Sequence, residues 1–226
     1  MDTTTVAIAT AVIVVLITLL LLFKKGVKKN TVLFVGLSDS GKTKMFTKIV
    51  NRNADAITYT SFQENIVELQ VKGDSVHVVD FPGGERFRKQ LAEKWLTKER
   101  SSLKGIVFVI DASTYSKRAR DVAEFLYDVI LNSGSRIPVL SACNKQDLNL
   151  AKSDQVVKTA LEKELGLINK TRAAALVTTD GSANRKTLTD TGSDFTWSDL
   201  KCSVDFVECS AESDKGLDAI RSWLKN

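Results

Sequence analysis

The stretch Gly36–Thr43, GLSDSGKT, follows the apolar run TVLFV (31–35) and leads into KMFTKIV (44–50), where apolar residues take up a helical spacing. This is G-x-x-x-x-G-K-[ST] between a strand and a helix, the context in which that pattern has a mechanism. Glycines let backbone N–H groups wrap phosphates, and the helix N-terminus favours negative charge there. The predicted phosphate-binding set is Gly36, Ser38, Asp39, Ser40, Gly41, Lys42 and Thr43. Lys42 would reach the β- and γ-phosphates, and the Thr43 hydroxyl would ligate Mg²⁺.

Working outward, each further motif ends an apolar run. DFPG (80–83) closes SVHVVDF, so Asp80 can hold Mg²⁺ through water, and the Gly83 N–H can approach a γ-phosphate because no side chain stands in the way. Taken alone, that tetrapeptide is also an ordinary turn after a strand. NKQD (144–147) closes IPVLSAC. The Asp147 carboxylate can accept two hydrogen bonds from the guanine edge, a pair that adenine does not offer. The Lys145 stem can cover the base plane, and Asn144 can tie the loops together. Cys209–Ala211, with Ser210 between them, can present a backbone N–H to the guanine oxygen. Four such pieces in this order predict a guanine nucleotide, GTP or GDP, held with Mg²⁺ at the strand ends of an open sheet.

The rest of the chain agrees with an α/β sheet. TVLFV (31–35), GIVFVI (105–110) and IPVLSA (137–142) are nearly continuous apolar runs, as in parallel strands covered on both faces. Ala119, Val122, Phe125, Leu126, Val129 and Ile130 lie on one helical face. NIVELQV (65–71) alternates, which predicts a half-exposed edge strand. From about 170 to 193 the chain is polar, turn-rich and without period, and is read as a disordered insert with a docking role.

The formal charge is +5 over 226 residues. Removing Lys24, Lys25, Lys28 and Lys29 from that count leaves +1, so the basic character is one knot rather than a surface. That excludes nucleic acid as the main partner. Cys143, Cys202 and Cys209 have no metal-ligand spacing, and His77 sits within a strand pattern as a structural residue.

Val6–Phe23 is eighteen residues without a charge. As a helix it would span roughly 27 Å, the thickness of a thin bilayer such as that of the endoplasmic reticulum, about 27 Å. A cleaved signal peptide would carry positive charge before this run and a small-residue cleavage site after it. Asp2 precedes it and KKGVKK follows, so an uncleaved anchor is expected. The lysines place the chain after them in the cytosol. The expected plan is a lumenal end at 1–5, a transmembrane helix at 6–23, a basic linker at 24–30, and a cytosolic domain at 31–226.

From Thr31 to Leu224 these motifs resemble the small GTPase superfamily, near the Arf and Sar branch, and within it the β subunits of the signal recognition particle receptor. The spanning segment, the proline of DFPG, and KTRAAA (170–175) followed by a polar insert and DFTWSDL (194–200) carry the second resemblance. It implies a P-loop small-GTPase fold: a mostly parallel open sheet with helices on both faces, preceded by one transmembrane helix. It also implies Thr60 as the switch threonine contacting Mg²⁺, with Thr58 and Ser61 as alternatives. Many GTPases place a water-orienting glutamine after DxxG, and receptor β subunits often a histidine; here stands Gly84, so no catalytic side chain is assigned and slow hydrolysis is expected. The implied partner is the receptor α subunit, with the ribosome or translocon beyond it, at the endoplasmic reticulum membrane. The alternatives are an Arf-like trafficking GTPase that recruits coats or tethers, and a non-hydrolysing docking module kept loaded with GTP.

Overall fold

The computed structural model describes residues 11–16, 18, 29–53, 61–71, 73–134, 136–178, 187–189 and 195–225. Most of the expected anchor, the basic linker through Lys28, and Thr58 and Thr60 lie outside the described residues. Residues 11–16 are helical, and Val12, Ile13, Val14, Val15 and Leu16 are all exposed. Among the described residues no helix is long and apolar enough to cross a membrane.

Six strands form one sheet: β1 (Thr31–Val35), β2 (Asn65–Val71), β3 (Asp74–Asp80), β4 (Leu103–Asp111), β5 (Val139–Asn144) and β6 (Val204–Glu208). Their order is β2-β3-β1-β4-β5-β6. Among the described strands only β2 runs antiparallel, joined to β3 by a tight connection at Gly73. It is the edge strand, and its residues alternate between exposed and half-buried, as its sequence predicts. β4 runs one residue and β5 two residues beyond the end of their apolar runs, ending at Asp111 and Asn144. β5 also starts two residues late. Pro138 has no N–H for the ladder, and its carbonyl instead accepts from the Ile106 N–H.

Helices cover both faces. On one lie α1 (Lys42–Val50) and α5 (Leu217–Leu224), packing Met45, Ile49, Leu217 and Ile220 against Val32, Phe34, Val78 and Val107. On the other lie α2 (Arg88–Leu91), which continues in π-helical turns Ala92–Lys98, α3 (Tyr115–Ser133) and α4 (Asp154–Thr178). They pack Leu91, Trp95, Val122, Phe125, Leu126, Val157 and Leu161 against Leu33, Val35, Val79 and Phe108. Successive residues of β1 therefore face opposite cores, which is why its sequence is apolar throughout. Cys143, Cys202 and Cys209 are buried free thiols, and burial pushes the Cys209 thiol up to about 12.

The reading of 170–193 as one aperiodic insert is corrected in two places. First, α4 runs to Thr178, so Lys170–Thr178 is helix; its run of alanines is a strong helix former. Second, Thr189 is buried. Its carbonyl and hydroxyl accept from Asn169 Nδ2 (3.1 and 3.0 Å), while the Leu188 N–H donates to Asn169 Oδ1 (3.0 Å). The Tyr127 hydroxyl donates to that same oxygen (2.8 Å). The chain then returns onto α4 through Phe195, packed against Gly166, and Trp197, edge-on to Phe195 and Phe206.

Candidate nucleotide site

The sheet order reverses around β1, and the predicted residues gather at the C-terminal ends of β1, β3, β5 and β6. A crevice at such a switch point is where open α/β sheets take ligands. The loop after β1 passes through Gly36 (φ +150), Asp39 (φ +64) and Gly41 (φ +85). A Cβ on Gly41 would lie 2.3 Å from Asn144 Nδ2. Ser40 is buried with its hydroxyl unpartnered, and Ser38 is half-buried, its carbonyl accepting from Arg118 Nη1 (3.3 Å).

Lys42 is buried and its Nζ donates to the Leu37 carbonyl (2.8 Å). Desolvation lowers its pKa to about 8, against the opposing pull of Asp80 and Asp39. Thr43 Oγ1 donates to Asp80 Oδ2 (2.8 Å) and lies 3.1 Å from Ser61 Oγ. Asp80 is fully buried, and its second oxygen, Oδ1, has no partner among the described residues. Burial raises its carboxyl above the usual range, opposed by the Thr43 hydrogen bond and by Lys42. These are hard oxygen donors of the kind Mg²⁺ takes. Of the three hydroxyl residues considered for the switch position, Ser61 is the one described, and it stands beside Thr43.

Gly83 packs onto the phosphate loop. A Cβ there would meet Lys42 Nζ at 2.5 Å, the Gly36 carbonyl oxygen at 2.7 Å and Leu37 C at 2.8 Å. Gly84 differs. Its backbone (φ −68, ψ 141) suits any residue, and among the described residues an added Cβ would meet only the Phe87 ring, at 3.3 Å. Nothing among the described residues forces position 84 to lack a side chain.

On the other side of the site, Asn144 acts as a brace. Its Nδ2 donates to the Ser40 carbonyl (2.8 Å), and its Oδ1 accepts from the Ala211 N–H (3.0 Å). Of the three backbone N–H groups that Cys209–Ala211 could offer to a guanine oxygen, that of Ala211 meets Asn144, that of Ser210 the Lys215 carbonyl and that of Cys209 the Cys143 carbonyl. Ser210 Oγ donates to Asp147 Oδ1 (2.5 Å) and accepts the N–H groups of Glu212 and Ser213. Lys145 (φ +67) donates from Nζ to Asp111 Oδ2 (2.8 Å). Burial alone would raise the Asp111 carboxyl, but hydrogen bonds from Lys145, Ser113 and Thr114 hold it below its usual range. Asp111 and Asn65, whose Nδ2 reaches Asp80 Oδ2 at 3.4 Å, belong to no motif named from the sequence. The available sign for Asp111 was an acid closing the run GIVFVI.

A phosphate loop at the sheet's switch point, with DxxG and NKxD at neighbouring strand ends, defines a P-loop protein of small-GTPase fold. The sequence profile of the family described as signal recognition particle receptor beta subunit matches residues 27–204. The chain is 37% identical to the signal recognition particle receptor subunit beta of Rattus norvegicus, over 99% of this chain and 87% of that protein. Its fold is similar to that in the structure of the mammalian signal recognition particle receptor. The TM-score is 0.74 at 35% identity, covering 87% of this chain and 98% of the other. It is also similar to the receptor subunit SRb of Chaetomium thermophilum, solved with GTP in complex with SRX. There the TM-score is 0.66 at 25% identity, over 88% of this chain and 98% of that one. The chain belongs to the family of signal recognition particle receptor beta subunits.

Proposed function

We propose that this chain is a membrane-anchored GTP-binding subunit whose GTP-bound form binds the receptor α subunit and holds it at the endoplasmic reticulum membrane. The observation that carries the nucleotide reading is the Asn144 brace, which ties the phosphate loop at Ser40 to the loop at Ala211. Phosphate and base ends are thereby set at a fixed separation. In this reading Gly36, Ser38, Asp39, Ser40, Gly41, Lys42 and Gly83 hold phosphates. Asn144, Lys145, Asp147, Ser210 and Ala211 form the guanine end. Thr43 and Asp80 hold Mg²⁺, with Thr60, or Thr58 or Ser61 in its place, as the switch hydroxyl. Among the described residues no three His, Cys, Asp or Glu side chains form a cage. An ion here would therefore draw its other ligands from phosphate and water, as Mg²⁺ does. When bound, it supplies charge neutralisation between the β- and γ-phosphates.

Slow turnover belongs to the same reading. Even with a glutamine, intrinsic hydrolysis in small GTPases is on the order of 10⁻⁴ s⁻¹, and Gly84 has no group to orient water. A spanning helix at 6–23 would not leave the bilayer with nucleotide state, so GTP would control a partner rather than attachment. The Chaetomium relative, solved with both GTP and SRX, supports a partner bound in the GTP state. The test is recovery of proteins from membrane extract by the full chain loaded with GTP or with GDP. The α subunit should come down with the GTP form. Coat components in its place would overturn the reading in favour of a trafficking GTPase, and equal recovery with GTP and GDP would make the chain a permanently loaded docking module.

A further inference from the structure

The five residues 61–65 are tied on two sides. Toward the phosphate site, Ser61 Oγ lies 3.1 Å from Thr43 Oγ1 and Asn65 Nδ2 reaches Asp80 Oδ2 at 3.4 Å. Toward the helical segment after Gly84, the ring of Phe62 lies 5.1 Å from the Arg86 guanidinium carbon, which also sits 4.6 Å from the Phe87 ring centroid. The strongest tie is at Glu64. Its Oε2 accepts from the Trp95 indole N–H (2.9 Å), and its Oε1 is paired with Lys94. Lys94 also lies over the Trp95 ring, 5.1 Å from its centroid. Trp95 is a buried core residue in π-helical turns, a geometry that recurs at functional sites.

From this arrangement we infer that Glu64 is a positioning residue for the Mg²⁺ side of the nucleotide site. Through Trp95 it fixes the 61–65 segment to the core, and so fixes the Ser61 hydroxyl beside Thr43. The packing explains the division of labour. Phe62 is 66% exposed and Ile66 51% exposed, so this segment has little apolar burial of its own to hold it. A carboxylate engaged by an indole N–H and an ammonium supplies the hold, since hydrogen bonds to a charged group are the stronger ones. The inference rests on the reading of Thr43 and Asp80 as the Mg²⁺ end of a GTP site.

The test is the release rate of a fluorescent GTP analogue from the full chain, measured in Mg²⁺ and in EDTA. Glu64→Ala removes both contacts. It should speed release in Mg²⁺ by about tenfold, the effect of losing a hydrogen bond to a charged group, and leave the rate in EDTA within twofold of wild type. The ratio of the two rates separates positioning from general weakening, which would raise both. Glu64→Gln, which can still accept from the indole, should keep most of the wild-type ratio and guards against a folding defect in the alanine variant. Trp95→Phe should reproduce Glu64→Ala, and the double variant should be no worse than either single one. Additive effects, or a wild-type ratio in Glu64→Ala, would overturn the inference. A wild-type protein that releases the analogue equally fast in Mg²⁺ and EDTA would instead overturn the Mg²⁺ reading on which it rests.

Discussion

The two ends of the nucleotide site are built differently. At the base end, side chains work by being held: Asn144 is engaged through both its amide groups, Lys145 is paired with Asp111, and Asp147 accepts from Ser210. At the phosphate end, two residues contribute by having no side chain. Gly83 lets its backbone lie against Lys42 and the Gly36 carbonyl, and Gly84 next to it leaves open space apart from the Phe87 ring among the described residues. The same end carries buried polar atoms without partners among the described residues, Ser40 Oγ and Asp80 Oδ1. Such groups are costly unless something else satisfies them. The contrast is between a base end whose side chains are held in place and a phosphate end where backbone packs closely and polar atoms await a ligand, as the proposed function requires.

The largest break in that comparison comes at the base end. Asp147→Asn should cost guanine nucleotide affinity on the order of 10⁴-fold, because a site built to hydrogen-bond an edge is left unpaired. Xanthine nucleotide should bind better than to wild type; competition binding with both nucleotides checks this, and unchanged guanine selectivity would sink the assignment. At the phosphate end, Gly83→Ala puts a methyl 2.5 Å from Lys42 Nζ and 2.7 Å from a carbonyl oxygen. About a hundredfold loss of GTP affinity is expected, the scale of an overpacking cost near 3 kcal/mol. Calorimetric titration should show a smaller loss for GDP.

Next comes a dependence on pH. The Lys42 pKa is lowered to about 8 by burial, and phosphate binding favours its charged form. Above pH 8 the free protein must therefore take up a proton to bind, so GTP affinity should fall by up to about tenfold per pH unit. Lys42→Arg stays charged and should give a flat profile above pH 8, whatever its absolute affinity. The smallest expected effect is on stability. Gly84→Gln should shift the unfolding free energy by less than about 1 kcal/mol, because the backbone there is ordinary and the one close neighbour is a ring edge. Thermal unfolding should show a midpoint close to that of wild type.

Much of the site could be read before the fold because its chemistry is local. GLSDSGKT, DFPG and NKQD are short, each ends an apolar run, and the structure brings all three to one sheet end. What escaped reading depends on contacts across the chain. Nothing near Glu64 announces that Trp95, thirty-one residues later, will donate to it. Nor does Tyr127 predict that its hydroxyl and Asn169 will together pin Leu188, sixty-one residues beyond the tyrosine. The extension of α4 through Thr178 was missed for a different reason. KTRAAALVT has good helix formers, but it adjoins a polar stretch and was grouped with it. The π-helical turns at Ala92–Lys98 follow no periodicity that a sequence pattern exposes.

The claim at the centre of this account is that the site holds GTP longer than it spends it. Single-turnover GTP hydrolysis by the full chain, alone and with the receptor α subunit, tests it directly. The chain alone should hydrolyse at or below about 10⁻⁴ s⁻¹. Acceleration only when the α subunit is added would mean that the missing catalytic group arrives from the partner. Hydrolysis by the isolated chain at about 10⁻² s⁻¹ or faster, the range of relatives that carry their catalytic arginine in cis, would contradict the account.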